Sequence, residues 1–141
     1  MKFEEEFMVP EGWADKLSQP GIVIRCLPGL DEVVWEGNDR CQLRFKTHVG
    51  PLRLIFEGFL AIISKTTEHW TAEVTLKEKG AMGGSIFGHF DVHTVVPGRV
   101  RLVSEIHMEG RLAELGVPLM KKRAEEIARE FQKNIVNVIS F

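Results

Sequence analysis

The 141-residue chain has no tyrosine and only two cysteines, Cys26 and Cys41. Two thiols are too few to staple a small scaffold and match no metal-ligand spacing, so both are expected to be reduced. There is no excess of basic charge either: 18 Lys and Arg stand against 20 Asp and Glu, a formal net charge of -2. That excludes a nucleic-acid binder driven by phosphate contacts and leaves no polybasic face for anionic lipid. No apolar run approaches the roughly 20 residues of a membrane-spanning helix. The opening stretch MKFEEEFMVP is acidic rather than signal-like, so a cytoplasmic protein is the expectation. What is plentiful is aromatic surface without phenol groups, nine Phe and three Trp. Such side chains suit a dry interior that offers few hydrogen bonds. The length suits one domain over residues 1–141, with a core of useful size.

Hydropathy patterning divides the chain into strands and one long helix. Lys2 to Val9 places Phe3, Phe7 and Val9 on one face, which predicts a half-buried strand. Pro10 suits the first turn of a short helix to about Ser18, with Trp13 and Leu17 inward, and a second helical piece is expected from about Gly21 to Cys26. Six strands follow, at Glu32–Gly37, Cys41–Val49, Leu52–Ser64, His69–Lys77, Gly84–Val96 and Arg99–Glu109. Apolar residues recur at every second position and the links are hairpin-length, the pattern of an antiparallel meander with one wet face.

From about Pro118 the period changes from two to near 3.6. Leu119, Met120, Ala124, Ile127, Ala128, Phe131, Ile135 and Val138 form one stripe, with charged residues over the rest. This predicts an amphipathic helix to Ile139, about 33 Å long at roughly 1.5 Å per residue. The fold class is therefore α+β. Laying the helix across the sheet is the way to cover the sheet's single apolar face, and about seven strands must curl around it.

That order is the helix-grip fold. The motifs narrow it: C-L-P-G at Cys26–Gly29 followed by Trp35–Glu36–Gly37, V-G-P at Val49–Pro51, F-E-G-F-L at Phe56–Leu60, and G-R-L-A-E-L-G at Gly110–Gly116 before the helix. In order and spacing the chain resembles the carbon monoxide dehydrogenase CoxG family of the START/Bet v 1-like superfamily. The resemblance implies a cavity between curled sheet and long helix that holds a hydrophobic small molecule, lipid- or quinone-like. It also implies a link to molybdenum-containing carbon monoxide dehydrogenase-type enzymes, and it places the apolar bend at Leu27–Pro28–Gly29 at the cavity mouth, against the helix end. Some members carry a C-terminal extension thought to reach a membrane. None follows the helix here, so membrane recruitment is not expected from that source.

The candidate ligand-binding residues are Trp13, Leu27, Pro28, Phe45, Phe56, Phe90, Leu102, Ile106, Met120, Arg123 and Ile127. The apolar ones suit a pocket wall as well as a plain core. Arg123 lies near the helix's inner stripe, where it either meets a ligand's polar head or packs its stem with the charge in water. His89, Asp91 and His93 share one strand face. If Val96 pairs with Val100, His89 lies opposite His107 and Asp91 opposite Glu105, a set able to hold a divalent metal; an exposed polar strand face is the simpler reading, and no metal is assigned. By alternation only Cys41, Thr47 and Ser104 bring polar atoms inward, thin material for catalysis. No cofactor and no catalytic residue is assigned. Carriage is the leading expectation; a cyclase or aromatase on the same fold, and an assembly module without ligand, are the alternatives. The tail Asn134–Phe141 fits the last turns of a packed helix, a dimer contact or a membrane-peripheral toe-hold, and the oligomeric state stays open.

Overall fold

The computed structural model describes residues 1–10, 12, 13, 15 and 26–139. Its strands are β1 (Lys2–Met8), β2 (Leu30–Trp35), β3 (Arg40–Val49), β4 (Leu52–Lys65), β5 (His69–Glu78), β6 (Ser85–Val96) and β7 (Arg99–Glu109). They form one curved antiparallel sheet in the order β1-β7-β6-β5-β4-β3-β2. A 3-10 helix at Gly110–Leu115 leads into the long helix α1, Val117–Ile139. Pro118 falls in its first turn, where a missing N–H costs nothing. The two short helices expected at Pro10 to Ser18 and Gly21 to Cys26 lie for the most part outside the described residues.

Alternation decides which side of each strand is buried. Phe3 and Phe7 of β1, Leu54 and Phe56 of β4, Ala72, Val74 and Leu76 of β5 and Val100 and Leu102 of β7 all turn inward. They form two apolar clusters. One joins Phe7, Trp13, Cys26, Val92, Val100 and Ile135; the other joins Cys41, Leu43, Val49, Leu54, Phe56, Leu112 and Met120. Ile135 and Met120 come from opposite ends of α1, so the helix is gripped at both ends, and Phe90 packs against both clusters. Fully burying each large apolar side chain is worth about 1.5–3 kcal/mol as an upper bound. Leu119, expected on the inner stripe, is instead 41% exposed. It sits about 100° around the helix from Met120, which takes the buried position.

Two β-bulges bear on the site. In β6–β7, Thr94 pairs with Val100 and Val96 with Arg99. The expected register, Val96 with Val100, is therefore corrected by two residues: His89 faces Glu105 and Asp91 faces Val103. In β4–β5, Ile62 pairs with Ala72 and Ser64 with Thr71, leaving Ile63 as the extra residue. Beyond that bulge the alternation is inverted, and Lys65, paired with Trp70, turns to the inner face.

Candidate ligand cavity

Between the two clusters the sheet and α1 do not close. A cavity of about 270 Å³ remains, near the lower end of the roughly 300–1,000 Å³ usual for small-molecule sites. Helix residues Met120, Arg123, Ala124, Ile127, Ala128 and Phe131 line one side at spacings of three and four, one face of a helix. The void follows from side-chain size. Ala124 and Ala128 sit in the middle of that face, and the opposing wall includes Ala72 and Gly88. Gly88 has little room for more: a Cβ there would lie 2.8 Å from Val74 Cγ1 and 3.1 Å from Phe90 Cε2. Larger residues flank these small ones, so the gap is walled rather than filled.

Of the expected binding residues, Leu27, Phe45, Phe56, Phe90, Leu102 and Ile106 lie in the wall, as do Met120, Arg123 and Ile127 on the helix. Phe45 and Phe56, paired across β3 and β4, stack with ring centroids 5.6 Å apart. Trp13 and Pro28 do not line the cavity. Trp13 belongs to the cluster around Ile135, tilted 6.4 Å from Trp70, with Nε1 donating to Thr94 Oγ1 at 3.4 Å. Pro28 stands in the bend, half-buried but outside the wall.

The bend is held from two sides. Asn134 Nδ2 of α1 donates to the Cys26 carbonyl at 3.0 Å, and Lys46 N of β3 donates to the Gly29 carbonyl at 2.9 Å. Gly29 has φ +78°, and a Cβ there would collide with the Lys46 carbonyl oxygen. Only glycine permits this close approach at that backbone angle.

Polar groups in the wall are few. Arg123 Nε donates to Thr47 Oγ1 at 2.8 Å, and Nη1 reaches Glu126 Oε2 at 3.0 Å. The guanidinium thus bridges β3 and the partly exposed Glu126 carboxylate, with the Arg123 side chain 29% exposed. Thr47 and Ser104 were legible as inward hydroxyls from alternation, and both are buried in the wall. Lys65 was not legible, because the bulge that turns it inward leaves no mark in the sequence; its Nζ lies 3.6 Å from Asp15 Oδ1. Trp35 and Trp70 are not among the residues expected to bind. Both line the cavity, and the indole nitrogen of each is buried without a hydrogen-bond partner. Cys41 is fully buried but outside the wall, and burial pushes its thiol up from the ordinary 9.0. That is the environment of an inert thiol.

The loop between β5 and β6 is fastened by a buried carboxylate. Glu78 Oε2 accepts from Ile55 N at 2.7 Å, while Oε1 accepts from Met82 N and Gly83 N at 3.2 Å each. Burial pushes this carboxyl up, but the backbone N–H groups around it outweigh burial and hold it below its ordinary 4.5.

The histidines weighed as metal ligands lie on the outer face. His93 Nδ1 and His69 Nε2 both engage Asp91, at 2.7 and 2.8 Å, while His89 sits 3.6 Å from Glu73 and His107 3.3 Å from Glu109. The two-residue shift of β7 places His89 opposite Glu105 and His107 opposite Phe87, so the four side chains do not pair as that alternative required. Among the described residues no group of His, Cys, Asp and Glu is arranged to hold a metal ion. Nor is any described helix long and apolar enough to cross a membrane.

Comparison with known proteins agrees with this architecture. No curated protein matches the chain. Among solved structures, a conserved protein from Geobacillus kaustophilus superposes with a TM-score of 0.80 at 17% identity, covering 99% of this chain and 93% of that one. The Zhui aromatase/cyclase from Streptomyces sp. R1128 gives 0.70 at 11% identity, covering 99% and 93%. A START superfamily protein from Mycobacterium smegmatis gives 0.62 at 11%, covering 99% and 97%. At these identities the likeness establishes the fold. The family model for carbon monoxide dehydrogenase CoxG matches residues 10–140. The chain belongs to the carbon monoxide dehydrogenase CoxG family.

Proposed function

We propose that the protein binds and carries a hydrophobic small molecule, lipid- or quinone-like, in the cavity between sheet and helix. The observation that carries this reading is the void left beside Ala124 and Ala128 within an almost wholly apolar wall. A protein core normally closes such a gap, because unfilled space forfeits packing contacts. Moving an oily molecule from water into it is driven by apolar burial. Admission requires the bend at Leu27–Leu30 or the loop at Lys79–Gly84 to swing away from the helix, breaking the hydrogen bonds that fasten each. Family membership supports a further step, in which the carrier serves a molybdenum-containing carbon monoxide dehydrogenase-type enzyme as accessory.

Catalysis on the same fold, as a cyclase or aromatase, is less well supported. General acid–base work needs groups that exchange protons near neutrality, and the wall contains Arg, Lys, Thr, Ser and Trp but no described carboxylate or imidazole. The test is native mass spectrometry of the purified protein before and after extraction with organic solvent. A bound lipid or quinone lost on extraction and regained on incubation with it is the expected result. A bare polypeptide mass that no added lipid or quinone changes overturns the reading.

A further inference from the structure

The polar atoms of the cavity wall are strongly one-sided. Arg123, Lys65, Trp35 and Trp70 can only donate hydrogen bonds, and the wall has no described Asp, Glu, Asn, Gln or His side chain to accept them. At the Arg123 end the hydroxyl is half used, with one of its two lone pairs taken. Thr47 Oγ1 already accepts from Arg123 Nε, so the proton it carries is a further donor. Nη1 is taken by Glu126, whereas Nη2 has no protein partner among the described residues. Ser104, the other hydroxyl, is four strands away from Thr47 in the sheet order. Trp35 and Trp70 add two buried N–H groups without partners, an arrangement proteins ordinarily avoid.

We infer that the cavity selects apolar molecules whose polar head is a carbonyl-type hydrogen-bond acceptor, lodged against Arg123 and Thr47, and disfavours the same carbon skeleton bearing a hydroxyl. This rests on the carriage reading and gives its ligand a chemical class. A carbonyl oxygen has two lone pairs and no proton, and so answers Nη2 and the Thr47 hydroxyl together. A ligand hydroxyl in the same place brings a proton of its own, which competes for the one remaining lone pair of Thr47 while the lining otherwise supplies donors. Because Glu126 already meets the Arg123 charge, the head need carry no charge of its own. For a carrier of a redox-active ring, the same wall favours the oxidised dicarbonyl over the reduced dihydroxy form.

The experiment is a titration followed by tryptophan fluorescence, since Trp35 and Trp70 lie in the wall. The probes are a long-chain methyl ketone, the secondary alcohol of the same skeleton and the parent alkane, each delivered from cyclodextrin. The ketone should bind about tenfold more tightly than the alcohol, the scale of one unmade hydrogen bond. In Arg123→Met, and independently in Thr47→Val, that preference should fall to about twofold or less. Equal binding of ketone and alcohol to the native protein overturns the inference and leaves carriage standing. A preference that survives both substitutions overturns the placement of the head. Failure of all three probes to bind overturns carriage itself.

Discussion

Arg123 Nε donates to Thr47 Oγ1 at 2.8 Å, joining the inner face of α1 to β3 across the end of the cavity. Towards the other end of that face the helix contributes Ala124 and Ala128 before Phe131 and Ile135 close the interior again. The void is thus bracketed along the helix and depends on two small side chains.

Ala128→Phe should fill it. Uptake of a hydrophobic ligand is expected to fall tenfold or more, while unfolding stability holds or rises by about 0.5–2 kcal/mol, as in other cavity-filling changes. Thermal unfolding beside a lipid-loading assay separates this outcome from simple misfolding, which would lower both.

Gly29→Ala should destabilise by about 1–3 kcal/mol, because the residue sits at φ +78° and the added carbon collides with the Lys46 carbonyl oxygen. Urea unfolding measures it. A change within about 0.5 kcal/mol, the range of an ordinary surface substitution, would show that the bend does not need its observed shape.

The fastening of the bend to the helix makes a kinetic claim. Asn134→Ala removes the hydrogen bond to the Cys26 carbonyl, a loss of about 0.5–1.5 kcal/mol. Ligand association and release should both quicken in stopped-flow measurements, with affinity little altered. Unchanged rates would place the gate elsewhere, the Lys79–Gly84 loop being the next candidate.

Glu78 gives the fold an acid limit. Its carboxyl is held below the ordinary 4.5, so its stabilisation is fully present above that pH and is lost as pH falls through the lower folded-state value. Glu78→Gln should cost about 1.5–3 kcal/mol near neutrality, the worth of hydrogen bonds to a charged group. The gap between native and variant stability should close progressively below about pH 4.5. A gap independent of pH would mean that the charge on Glu78 contributes nothing.

The strands were legible because each carries its apolar residues at every second position, and α1 because the period changes at Pro118. Most of the wall followed from the same rule: Phe45, Phe56, Phe90, Leu102 and Ile106 are inward by alternation, and Met120, Arg123 and Ile127 by helical spacing. Lys65 escaped because a bulge is a property of the pairing between strands, and Ile62 and Ile63 give no sign of which is the extra residue. The register of β7 was misjudged for a similar reason. The run Thr94–Val95–Val96 is β-branched throughout and carries no phase that fixes its partners. Trp13 was placed inward correctly but in the wrong company, since alternation and helical spacing say which side a residue faces and not how far along the core it lies. Small residues were the least legible feature. Ala124, Ala128 and Ala72 look like ordinary packing until the two layers are seen to leave room between them.

The central claim is that an apolar ligand occupies this room, and the most direct measurement is the set of nuclear Overhauser contacts between the protein's methyl groups and the chain of a bound lipid or quinone. Cross-peaks from the ligand to the methyls of Ala72, Ala124, Ala128 and Ile127 are the expected result. Ligand contacts confined to outer-face residues such as Val34 and Val103, with those four silent, would contradict it.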